Sequence, residues 1–256
     1  MRDPQPTPEP ERFRHRYEVA PIQEAVCEFR LRQSTAWDMA TPGLLYPGLQ
    51  GLYPERRQRA DAEPAVVQND KGESVATLVK VDRIVYSAKD GKSFVQVGPR
   101  MVSIHRLRPY ESWEGFSKQV AHVYEVLRPI VGATSFERIG LRYLNRLDIP
   151  GPQIAISDFL KFRPETGSQA AEAMIGVQMA CTFGVPGGTE GYRVMLVSLV
   201  PDDPTHAAFM LDIDYFTVVP GRVQSDTALS WIETAHANVE NVFEGCITDK
   251  LRGLFK

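Results

Sequence analysis

The stretch FERIGLRYLNRLDI, residues 136–149, carries two patterns at once. Ile139, Leu141, Tyr143, Leu147 and Ile149 occupy odd positions, while Arg138, Arg142 and Arg146 occupy even ones. Side chains alternate sides along an extended chain, so this period of two predicts a long strand with one apolar and one cationic face. The same alternation begins just after Pro21, where Ala25, Cys27, Phe29 and Leu31 are interleaved with Glu24, Glu28, Arg30 and Arg32. Two half-buried strands, far apart in the chain, therefore anchor the reading of everything between them.

Each strand is followed by a similar programme. In the first half, Trp37 to Tyr53 has leucines at helical spacing but is punctuated by Pro42, Pro47 and three glycines, which predicts an interrupted helix. Residues Pro54 to Gly72 are polar and read as a loop. Strands are expected at Ser74 to Val81, Arg83 to Ala88, Ser93 to Val97 and Met101 to Arg106, with Asp90-Gly91 marking a hairpin. Trp113, Phe116, Val120, Val123 and Leu127 then form one apolar helical stripe that Pro129 should end. In the second half, a short serine-capped helix is expected at Ser157 to Lys161. Strands follow at Ala173 to Phe183, Tyr192 to Leu199 and Ala207 to Asp214, and a closing helix at Asp226 to Phe243.

The fold class predicted is α+β, built as two pseudo-repeated antiparallel sheet-plus-helix lobes fused into one body. Sequence identity between the halves is negligible, so the repeat is one of pattern. Its physical motive is that an antiparallel sheet with one helix leaves an open edge, which a second such unit beside it can cover. The expected division is a proline-rich disordered tail at 1–16, a first lobe at 17–132 and a second at 133–256.

The chain has 256 residues, 43% of them hydrophobic, enough for a sizeable core. Lysine and arginine total 29 against 32 acidic residues, a formal charge of −3, so there is no bulk electrostatic drive toward nucleic acid or anionic lipid. No apolar run approaches the roughly 18 residues that span a bilayer, and the first residues lack the zones of a signal peptide. A soluble, cytoplasmic protein that does not engage a membrane is expected. Cys27, Cys181 and Cys246 are odd in number and widely spaced, which fits a reducing compartment and neither a disulfide framework nor a zinc knuckle.

The arginine ladder is the sharpest candidate site. Residues four apart on a strand lie about 13 Å apart on one face, so Arg138, Arg142 and Arg146 could follow a phosphate backbone. Arg30, Arg32, Arg106 and Arg108 on other strands could extend the patch. The plainer alternative is that Glu24, Glu28, Asp212 and Asp214 neutralise the ladder through cross-strand ion pairs. Asp212 and Asp214 also share a strand face in the manner of a magnesium-dependent phosphoryl-transfer site, but no phosphate-binding loop accompanies them. His15, His105, His122, His206 and His236 include no pair at metal-ligand spacing. His122 and His236 each follow an alanine in the two long helices, a possible trace of duplication, with a packed, hydrogen-bonded role as the default for both. Gly184, Gly187, Gly188 and Gly191 precede a strand rather than a helix and read as a hairpin, not a phosphate loop. Trp37, Tyr46 and Tyr53 offer either a docking surface or core. No nucleophile motif is complete, and no catalytic residue, cofactor or metal is assigned.

Three segments carry a resemblance: YEVAPIQEAV at 17–26, GLRYLNR at 140–146, and VFEGCITDK at 242–250, preceded by His236. In order and spacing they resemble a sporadically distributed family of bacterial proteins of about 250–260 residues without an established activity. The resemblance implies a patchily occurring accessory protein and brings no catalytic residue. The leading functional expectation is a non-enzymatic protein-binding module whose partner is encoded nearby and docks on an open sheet edge or the interrupted helix. Nucleic-acid or nucleotide binding by the arginine face is the alternative, and metal-dependent phosphoryl transfer the least favoured.

Overall fold

Strands β1 (Ile22–Leu31) and β6 (Phe136–Pro150), which open the two halves of the chain, lie antiparallel and side by side in the middle of one sheet. Cys27 pairs with Leu141, Glu28 with Gly140 and Phe29 with Ile139. The computed structural model describes residues 17–68, 74–165 and 175–256; the tail expected at 1–16 lies outside them. From the central pair the sheet grows outward on both sides. On one side β1 is followed by β5 (Met101–Leu107), β4 (Ser93–Gly98), β3 (Ser74–Ser87) and β2 (Glu55–Gln68). On the other, β6 is followed by β9 (His206–Thr217), β8 (Glu190–Leu199) and β7 (Gln178–Gly184). The result is mixed α+β: one nine-stranded antiparallel sheet, continuous across residues 132 and 133, with four α-helices among the described residues.

Three helices, α1 (Thr41–Leu49), α2 (Trp113–Val131) and α3 (Ala228–Cys246), pack on the same side of this sheet. Tyr46 of α1 stacks on Tyr86 of β3, Tyr124 of α2 on Phe29 of β1, and Trp231 of α3 lies against Tyr215 of β9. The odd positions of β1 and β6 supply the buried face beneath them: Cys27, Phe29, Ile139, Leu141 and Leu147 are all 0% exposed. Side chains of this size contribute ~1.5–3 kcal/mol each when fully buried. The short helix α4 (Asp249–Arg252), which the sequence pattern did not indicate, seats Leu251 against the same core under a Thr248 cap.

Several local expectations are corrected. The polar segment after Pro54 is not a loop but β2, paired with β3 through fourteen consecutive residues. Its polarity reflects exposure of Glu55 to Ala60, and Pro64 is tolerated because β2 is, among the described residues, an edge strand paired on one side alone. The two strands predicted around Asp82 are one, β3, because pairing to β2 continues through that residue. The segment expected as an interrupted helix contains an unbroken helix, with Pro42 in the first turn, where its missing N–H has no helical partner, and Pro47 inside. Pro129 does not end α2; burial of Val131 carries the helix two residues on, to Gly132 at φ 57°, a left-handed cap suited to glycine. The turn at Ile156–Asp158 is a 3₁₀ helix with Ser157 inside it rather than capping it.

Candidate functional site

With the helices on one side, the even positions of β1 and β6 form the opposite side of the sheet, helix-free among the described residues, and the arginine ladder stands there. Arg138 donates from Nη1 to Glu28 Oε1 and from Nη2 to Asp214 Oδ2, both at 2.7 Å. Its guanidinium lies over the ring of Phe216 at 4.6 Å and across Gly140, where a Cβ would come within 2.5 Å of Nη1. Arg142 grips Asp212 with two parallel bonds, Nε to Oδ1 at 2.7 Å and Nη2 to Oδ2 at 2.5 Å. Arg146 pairs with Asp148 and Asp202, and Arg30 shares Glu28 with Arg138. Each ladder arginine is thus held by carboxylates, the cross-strand arrangement set against phosphate binding on the sequence alone. The Asp212 bond raises the Arg142 pKa further, and burial holds the Asp214 carboxyl above its ordinary value although Arg138 opposes it.

The wider patch does not assemble. Arg106 sits opposite Ala25 and Ser93 on the helix-covered side, where it donates to Ser93 Oγ and Glu111. Strand parity, invisible across unpaired segments of sequence, sends it away from Arg30. Arg32 and Arg108 fall just beyond the ends of β1 and β5. Asp212 and Asp214 are turned to arginines, and among the described residues no group of three histidine, cysteine, aspartate or glutamate side chains is placed to hold a metal ion. On the same helix-free side His105 bridges Glu24 (2.7 Å) and Ser103 (2.8 Å) and stacks on Phe94.

A second feature lies on the covered side and draws on segments far apart in sequence. Tyr17, the residues entering β1, Tyr110, the first residue of α2 and the middle of α3 enclose a cleft of about 150 Å³. Trp113 stacks face to face on His236, ring centroids 4.1 Å apart, and its indole N–H donates to Glu233 at 2.7 Å. His236 Nδ1 lies 3.3 Å from the Tyr143 hydroxyl and Nε2 3.3 Å from Glu240. The Tyr143 hydroxyl is in turn 3.2 Å from that of Tyr110. At the other end Tyr17 donates to Glu244, which Arg252 also holds at 2.7 Å. Burial pushes the phenols of Tyr143, Tyr110 and Tyr17 well up, so all three are neutral hydrogen-bonding groups rather than bases or nucleophiles.

Of the sequence candidates, His236 takes the packed, hydrogen-bonded role expected of it. His122 takes the same role, half-buried between α2 and α1 with Nε2 3.1 Å from the Gly48 carbonyl. Tyr53 is core at 1% exposure and Trp37 and Tyr46 are half-buried against the core, so none of the three aromatics considered around α1 is exposed; the exposed apolar residues there are Met39, Leu44 and Leu52. The glycine cluster forms the β7–β8 hairpin, with Gly187 and Gly188 at φ 99° and 68°. His15 lies outside the described residues. Tyr17, Tyr110, Trp113, Tyr143 and Glu240 were not picked out as a site, because their only common property is where the sheet and two helices bring them.

No protein-family model matches the chain, and no curated protein matches it. Among the described residues no helix is long and apolar enough to cross a membrane.

Proposed function

We propose that the protein is a non-enzymatic binding module that docks another protein on the helix-free face of its sheet. One observation carries this reading: none of α1, α2 and α3 covers that face, and the arginines of its central ladder are already paired with carboxylates of the fold. Nine strands at ~4.8 Å spacing and about 30 Å long present on the order of 1,000 Å². A standard interface takes about 800 Å² from each partner. Half-buried Val26, Met101, Leu144, Met195, Met210 and Phe216 lie among the ion pairs. Such a mixture of apolar surface and satisfied polar groups suits a protein more than a polyanion, because arginines neutralised by carboxylates release few counter-ions from nucleic acid.

The two-lobe reading is retained as part of this proposal. The orders β1-β5-β4-β3 and β6-β9-β8-β7 run alike, with β2 as an addition to the first half. The buried positions 116, 120, 123, 127 and 131 of α2 have the spacing of 228, 232, 235, 239 and 243 of α3, and the same displacement carries Cys27 and Phe29 onto Ile139 and Leu141. In this register Tyr124, not His122, is the counterpart of His236. The resemblance to patchily distributed bacterial proteins supports an accessory role and a partner encoded nearby.

The test is affinity capture of the native chain with the products of neighbouring genes, repeated with Met210→Glu, which places a charge on the face at β9, opposite Arg146. Capture of one such product that is lost in the variant, with circular dichroism unchanged, is expected. Recovery of monomer alone under conditions that preserve weak complexes overturns the reading. Retention on DNA or RNA at low salt, lost in Arg142→Ala with the fold intact, transfers the face to the nucleic-acid alternative.

A further inference from the structure

We propose that the cleft between β1, α2 and α3 binds an organic ammonium ion. Its walls are aromatic, formed by Tyr17, Tyr110, Trp113 and Tyr143, and its charged lining residues are Glu111, Glu240 and Glu244, with no lysine or arginine among them. Two of the three carboxylates are engaged from outside the cleft: Glu244 by Arg252 and Glu111 by Arg106. Glu240 has no lysine or arginine partner among the described residues; its neighbour is His236 Nε2, and its side chain is 42% exposed. A cation entering the cleft meets aromatic rings, whose electron-rich faces attract it, and a carboxylate that no other full-time cation neutralises.

Other ligand classes fit less well. An anion would face the three carboxylates. An uncharged apolar group would strip water from Glu240 without replacing its hydrogen bonds, a costly desolvation. Further polar groups of the walls are already committed: the indole N–H to Glu233, and both His236 nitrogens to Tyr143 and Glu240. The neutral phenols add dipoles but no competing charge. The cleft, at about 150 Å³, is wide enough to admit a small ammonium head. This site lies on the opposite side of the sheet from the docking face and stands or falls separately from it.

The full-length chain labelled with ¹⁵N-tryptophan provides the readout, the Trp113 indole resonance being assigned by its disappearance in Trp113→Phe. Choline is titrated at constant ionic strength beside 3,3-dimethyl-1-butanol, which has the same shape and no charge. Choline is expected to shift the Trp113 resonance saturably and the alcohol to bind at least about ten-fold more weakly. Glu240→Gln, whose thermal unfolding serves as the fold control, should weaken choline by about five-fold or more. Equal binding of the two ligands, no choline shift in the millimolar range, or unchanged choline affinity in a folded Glu240→Gln each overturns the assignment. Nα-acetyl-trimethyllysine amide identifies the source: tighter binding than choline supports the site with a peptide side chain as its ligand, and equal or weaker binding supports it with a free small ammonium ion.

Discussion

Replacing Arg142 with methionine separates a structural arginine from a recognition arginine. Asp212 is only 6% exposed, whereas the Arg142 side chain is 43% exposed. Deleting the partner of a fully buried charge costs about 3–5 kcal/mol, and deleting one from a solvated surface pair about 1 or less. With one member dry and the other half in water, Arg142→Met should destabilise the protein by about 2 kcal/mol at pH 7, or about 5 °C in Tm for a chain of this size. Asp212→Leu should cost less, since the freed guanidinium can turn to water. The double variant should recover most of the loss, giving a coupling of about 1.5 kcal/mol by urea unfolding. An Arg142→Met protein within about 0.5 kcal/mol of wild type would refute the reasoning, because it would mean the buried carboxylate did not need its cation.

Gly140→Ala puts a methyl group where the Arg138 guanidinium passes; since a flexible side-chain end can move aside, a loss of about 1 kcal/mol in urea unfolding is expected, and a neutral result would deny that Arg138 is held between Glu28 and Asp214. The Asp214 carboxyl should titrate above 3.8 by ¹³C NMR, so its contribution to stability is greatest below that value and is lost as pH rises through the folded midpoint; Arg138→Gln should move the midpoint higher still, and a midpoint at or below 3.8 contradicts the account. Thiol titration of the native protein should report Cys181 alone on a fast timescale and all three cysteines in denaturant, because Cys27 and Cys246 are buried and burial pushes the Cys246 thiol up to about 12; rapid native labelling of Cys27 would count against the packing of β1.

What could be read from the sequence followed locality. The alternation in residues 136–149 and around Phe29 gave both central strands, and the stripe from Phe116 to Leu127 gave α2, because each pattern is complete within one element. Strand β2 was missed since Glu55 to Ala60 are exposed and show no alternation; only pairing with β3 makes them a strand. Arg106 was assigned to the wrong side for a related reason: parity along one strand says nothing about its neighbour until the register opposite Ala25 is known. The candidates Asp212 and Asp214 were correctly seen to share a face, yet their engagement with Arg142 and Arg138 depended on β9 lying next to β6. The ammonium cleft was beyond reach for the same cause in stronger form, drawing Tyr17, Tyr143 and Glu240 from segments that no spacing rule connects.

The place of β1 beside β6 also governs how the molecule comes into being. Synthesis proceeds from the amino end, and β1 leaves the ribosome about a hundred residues before β6, an interval on the order of ten seconds. Throughout it, even after β5 has joined one flank, the strand that will sit at the centre of the sheet offers a bare row of amides and carbonyls. A nascent chain stalled before residue 136 would therefore be an adhesive fragment and not half a protein, which makes uninterrupted elongation, or a chaperone waiting at the exit, part of how this sheet is built.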